Sequence, residues 1–161
     1  MRTGAHPADR NHVSVLAMSI DGHSLAVELR FIEEVFRSGY VTRVPLAPPC
    51  MVGLTNLRGQ VIPLLDLTKI LTDVASSRRP LPDREAVLLR WQDIRVAVLV
   101  DATTGVIKTH LDAFYPMTNA HGLVFAGHFR LPKGRLDLLD VKKLVEHVRY
   151  QAAVGASLEP R

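Results

Sequence analysis

Three aspartates, Asp66, Asp101 and Asp140, each stand at the end of an apolar run, a placement from which carboxylates could hold a metal ion or exchange protons with a substrate. A structural role explains them with fewer assumptions. Asp66 and Asp140 each precede a helix-like segment, LTKIL and VKKLV, whose first free N–H groups a carboxylate can accept from, a cap contributing about 1 kcal/mol. Asp101 suits a turn. The seven histidines form no HExxH-type pair, and His121 and His128 flank a strand-like run at a spacing foreign to common zinc sites. Cys50, the single cysteine, lies beside Pro48 and Pro49 with no neighbouring base, and no glycine loop cradles a phosphate. The expectation is therefore a protein with no catalytic residues, no metal site and no cofactor.

Arg58 is a different case, because it sits in the stretch around which the chain is organised, GLTNLRGQVIPLLDL at residues 53–67. A short run reaches Asn56, Arg58-Gly59 makes a tight turn, and a second apolar run returns. Pro63 removes one ladder donor and pushes that second strand toward an edge or a bulge. Asp66 then opens a short helix at about residues 67–72. On spacing alone, Arg58 projects into water.

Composition bounds the elements that carry these residues. A chain of 161 residues, 47% apolar and 22% charged, suits one domain or two small intertwined ones. The polar residues 1–12 are expected to form a disordered arm, not a secretory signal, and no apolar run approaches the roughly 20 residues that span a bilayer. One cysteine fits a reducing compartment, hence a cytoplasmic protein. The net charge of +4 and a pI near 9.6 raise an SH3-like nucleic-acid-binding module as an alternative. However, the basic residues are scattered and the three tyrosines, five phenylalanines and one tryptophan are too few for a stacking groove.

In chain order, residues 13–20 and 23–27 form a hairpin about Asp21-Gly22. Leu29, Ile32, Val35 and Phe36 recur at spacings of three and four, which predicts a short amphipathic helix ending near Gly39. A brief strand covers residues 41–44, and residues 73–85 (DVASSRRPLPDRE) form a connector. Two strands follow at residues 86–91 and 95–100. Thr103, Thr104 and Gly105 interrupt the apolar pattern before another short strand begins at Val106. Residues 113–122 make a loop, residues 123–129 a strand, and Pro132-Lys133-Gly134 a turn before residues 136–139. PLLDLTKIL at residues 63–71 resembles DLLDVKKLV at residues 137–145, which implies two similar half-structures. The tail, residues 149–161, is expected to fray. The pattern gives a mainly β, barrel-type protein with short helices.

The central stretch also resembles the signature of the CheW family, the coupling proteins of bacterial chemotaxis. FIEEVFRSGYVTRVPLAPP, RVAVLVD and RLDLLDVKKLV resemble further family segments in the family's order, so that the resemblance covers about residues 13–148. It implies a pair of intertwined five-stranded SH3-like β-barrels and a non-catalytic adaptor. The implied partners are a CheA-type histidine kinase, through its regulatory domain, and the cytoplasmic tip of chemoreceptors, with recruitment to membrane-associated arrays. The receptor-facing positions it implies are Ile32, Glu34, Gly53, Arg58, Ala97, Thr103 and Val106. It sets Ile32, Gly53 and Val106 around one groove beside the first helix, and Glu34 close enough to Arg58 to pair. A glycine is usual where Ala97 stands and an apolar residue where Thr103 stands. The implied kinase-facing positions are Val41, Arg43 and Ala86, on the other barrel. A coupling protein of another chemosensory pathway, such as one controlling type IV pili, is the rival within the family.

Overall fold

In the computed structural model, residues 11–71, 84–117 and 123–157 are described. They form two six-stranded sheets. The first hairpin, β1 (His12–Ile20) and β2 (His23–Glu28), turns at Asp21-Gly22, both at positive φ. That twist matches the right-handed twist of the strands it joins. The chain then crosses to the other sheet for β3 (Ile32–Arg37), β4 (Val41–Thr42), β5 (Met51–Leu57) and β6 (Gln60–Leu65), followed by α1 (Thr68–Leu71). A second hairpin, β7 (Glu85–Trp91) and β8 (Ile94–Val100), completes that sheet. The chain crosses back for β9 (Ala102–His110), β10 (Phe114–Pro116), β11 (Phe125–Leu131) and β12 (Gly134–Leu139), and ends in α2 (Val141–Ser157).

The strand orders are β10-β11-β12-β2-β1-β9 and β4-β5-β6-β8-β7-β3. Read side by side they are the same sheet twice, each completed by the hairpin of the opposite half. In both, the last strand before a helix lies parallel to the exchanged hairpin: Leu138 opposite Ala26 in one, Leu64 opposite Ala97 in the other. The short internal repeat marks this duplication, because it spans β6–α1 and β12–α2. The two intertwined units are thus six-stranded sheets, where five-stranded barrels were expected.

Exchange explains why the hairpins read as almost unbroken apolar runs: their strands are buried on both faces. Leu16, Met18 and Ile20 of β1 and Val87 and Leu89 of β7 point into one central seam, which α2 closes with Leu144, Val145 and Val148. The alternate residues enter two satellite cores, Val15 and Ala17 in one, Ala86 and Leu88 in the other.

Four expectations are corrected. The helix expected over residues 29–36 is a 3₁₀ turn, Leu29–Phe31, and then strand β3. A bulge between Ile32 and Glu34 inserts one residue, so that a period of two mimics helical spacing; pairing of β3 with β7 then decides. The break at Thr103–Gly105 is likewise a bulge: Met18 pairs Thr103, Ala17 pairs Gly105, and β9 continues through it for nine residues. Pro63 lies in an interior strand. It precedes Leu64 and Leu65, the residues paired with β8, so its missing N–H falls before β6 acquires a second neighbour. Finally, the tail expected to fray is helical to Ser157, held by the apolar stripe Val141, Leu144, Val145 and Val148. Residues 1–10, most of the connector and His121 lie outside the described residues.

Candidate docking surface

The turn between β5 and β6 is the first feature of the site. Arg58 and Gly59 both take positive φ, and Asn56 Oδ1 accepts from Gly59 N–H at 2.8 Å, which fixes the loop. Arg58 Nη1 then reaches Glu34 Oε2 of β3 at 2.7 Å. The resemblance and not the spacing foresaw that pair. Its side chains are 78% and 25% exposed, so it belongs to the surface class that contributes about 0–1 kcal/mol. Beside it, Glu33 meets Arg95 at 3.0 Å and Arg90 at 3.5 Å, and Arg95 also donates to Gln60 Oε1. These contacts tie the edge strand β3 to the β7–β8 hairpin beside it and to the β5–β6 turn.

Gly53 has no open space on its side-chain face. A Cβ there would overlap the carbonyl oxygen of Thr42 and approach Val41 Cγ1 to 2.8 Å. The glycine therefore admits β4, not a partner helix, and the expected groove beside a first helix is replaced by a packed edge. Ala97 is fully buried, in the satellite core with Leu64 and Leu88. Thr103 donates both its backbone N–H and its hydroxyl to Glu85 Oε2, at 2.9 and 3.0 Å, a polar tether between the sheets whose hydroxyl bond an apolar residue could not make. Val106 is 61% exposed on β9. Ile32 and Val106 lie on different sheets.

Val41 on β4 is half-buried, Arg43 just beyond it is exposed, and Ala86 on β7 is fully buried. Val41 and Ala86 belong to the same sheet as Ile32, Glu34, Gly53 and Ala97, so the assignment of the two sets to separate barrels is corrected. The reason is that β3–β8, consecutive in the chain, all enter one sheet, the β7–β8 hairpin pairing with β3 and β6.

The aspartates have structural partners. Asp66 Oδ1 accepts from Thr68 N–H and hydroxyl at 2.9 and 2.6 Å, and Asp140 Oδ1 from Lys143 N–H at 3.1 Å. Asp101 accepts from Asp21 N–H at 2.6 Å. Sequence reasoning missed Arg84, placed in the connector. Its side chain is only 4% exposed and lies 3.6 Å from Asp66 and 3.8 Å from Asp101. Its carbonyl accepts from Ser38 N–H and hydroxyl. Two carboxylates ending separate apolar runs were the available signal for a shared buried cation. Among the described residues no three His, Cys, Asp or Glu side chains gather to hold a metal ion. Cys50 is buried and desolvation raises its thiol pKa, the opposite of an activated nucleophile. No described helix is long and apolar enough to cross a membrane.

Two sheets built by duplication and interlocked by exchanged hairpins define a class of protein. Residues 14–149 match the family model of the CheW-like domain, and the chain belongs to that family. It is 28% identical over 143 residues to a chemotaxis protein CheW of Thermotoga maritima, covering 87% of this chain and 92% of that one. It is 28% identical over 102 residues to a chemotaxis protein CheW of Bacillus subtilis, covering 60% of each. The fold is also that of a scaffolding protein, TtCheW from Thermoanaerobacter tengcongensis, with a TM-score of 0.70 at 20% identity over 80% of this chain and 89% of that one.

Proposed function

We propose that this chain is a non-catalytic coupling adaptor of chemotaxis, holding a CheA-type histidine kinase to the cytoplasmic tips of chemoreceptors. The observation that carries the reading is the family match over residues 14–149, joined to a relative named for chemotaxis that is matched over 92% of its length. The geometry supports it by offering exposed edges and ion pairs suited to docking. On this reading the receptor meets Ile32, Glu34, Arg58 and Val106, while Gly53, Ala97 and Thr103 shape the backbone beneath them. The kinase meets Val41 and Arg43, with Ala86 supporting them from inside the sheet. The protein works at the inner face of the membrane, recruited to receptor arrays by these contacts.

The test is reconstitution of receptor membranes with kinase. Adding the protein should raise kinase autophosphorylation, and Val106→Lys should abolish co-sedimentation with receptor while kinase binding persists. An unchanged phosphorylation rate with every receptor of the source organism would overturn the reading. Activity only with receptors of a different chemosensory system would move it to the pilus-type pathway.

A further inference from the structure

We propose that the half formed by β9–β12 binds a small amphipathic carboxylate, its apolar body in the cavity between β9 and the β11–β12 turn and its carboxylate against the cationic rim. The cavity measures about 660 Å³, within the range of about 300–1,000 Å³ typical of small-molecule sites.

The duplication explains why it exists. The paired registers equate β1 with β7 and β2 with β8, so that Ala17 corresponds to Leu88, Ser19 to Arg90 and Ser24 to Arg95. The two bulges equate Thr104 with Glu33 and Gly105 with Glu34. The two turns equate Gly134 with Gln60. In the β3–β6 half these positions hold a leucine, two arginines, two glutamates and a glutamine, and the Glu33–Arg95–Gln60 chain spans the mouth. In the β9–β12 half every counterpart is smaller, and the space remains.

Chemistry selects the ligand class. The walls carry Met18, Ile107, Leu131 and Leu136, which favour an apolar body. The hydroxyls of Ser19, Ser24 and Thr104 border it. The ionisable lining is Lys108, His110, Lys133 and Arg135, with no carboxylate among the described lining residues. Arg135 is engaged by Asp137 at 2.6 Å. Lys133, exposed at the tip of the turn, is the cation best placed for an entering anion, with Lys108 adding charge on the opposite wall.

The probe is octanoate, titrated into the ¹⁵N-labelled full chain, with octanol as the neutral control. Saturable shifts at Thr104, Ile107, Leu131 and Gly134 are expected with octanoate, and weaker ones with octanol. Lys133→Gln should weaken octanoate about threefold, as befits an exposed charge pair, and leave octanol unchanged. The double variant Ser24→Arg, Thr104→Glu rebuilds the plug of the other half from two exposed positions. It should lose about tenfold or more in affinity with its circular dichroism intact. Non-saturating shifts scattered over the surface, equal binding of octanoate and octanol, or undiminished binding by the folded double variant would overturn the proposal. Preference for an extended acidic peptide along β9 over octanoate would overturn it too.

Discussion

The mouths of the two halves share a backbone and differ in what fills them. Between β3 and the β5–β6 turn, Leu88 packs from below while Glu33, Glu34, Arg58 and Arg95 close the top with ion pairs. Between β9 and the β11–β12 turn, Ala17, Ser19, Ser24 and Thr104 border a cavity. Duplication fixed the strand order. Larger side chains and their ion pairs then span the first mouth, while smaller ones leave a cavity of about 660 Å³ at the second.

The largest effect should come from making the closed mouth resemble the open one. Leu88→Ala removes a buried side chain from the satellite core and should cost about 2–5 kcal/mol in urea unfolding. The reverse change, Ala17→Leu, extends into the cavity and should cost less than about 1 kcal/mol, below the usual 1–3 kcal/mol of overpacking. Equal losses in the two variants would show that the mouths do not differ in free volume.

Next come the two glycines that keep the halves alike. Gly53 and Gly127 both sit at bulges, and a Cβ on either would overlap a backbone oxygen of the edge strand, Thr42 or Tyr115. Gly53→Ala and Gly127→Ala should each cost about 1–3 kcal/mol in thermal melts. Loss at one position only would break the equivalence.

Arg58→Ala should change stability by about 0–1 kcal/mol, and that difference should vanish in high salt. A larger loss would mean that the closed mouth is held by its ion pairs and not by Leu88.

The smallest effect concerns the shared seam. Burial raises the Cys50 thiol above its ordinary 9.0, so the folded chain prefers the neutral form. The stability this contributes is complete below about pH 9 and lost as pH rises through the raised folded value. Alkaline melts should therefore steepen above pH 9 for the natural chain and not for Cys50→Ala. Thiol reagents at neutral pH should modify Cys50 only as fast as the chain opens. Rapid modification would place the seam, and not the mouths, as the loosest part of the molecule.

The sequence by itself determined the local elements: Asp-Gly and Arg-Gly set two hairpin turns, alternating apolar runs set the strands, and Asp66 and Asp140 set the two helix starts. It also carried the family, through segments whose order survives at low identity. Only the tertiary structure decided that Ile32–Arg37 is a strand, because a bulge disguises its period and the partner that enforces it, β7, lies some fifty residues away. Only the tertiary structure brought Arg84 between Asp66 and Asp101, since a buried charge is recognised by its neighbours and not by its place in a polar run. The contrast between the two mouths has the same cause. Ala17 and Leu88 become equivalent only when each hairpin is lodged in the sheet of the opposite half, and volume has consequences only where packing encloses it.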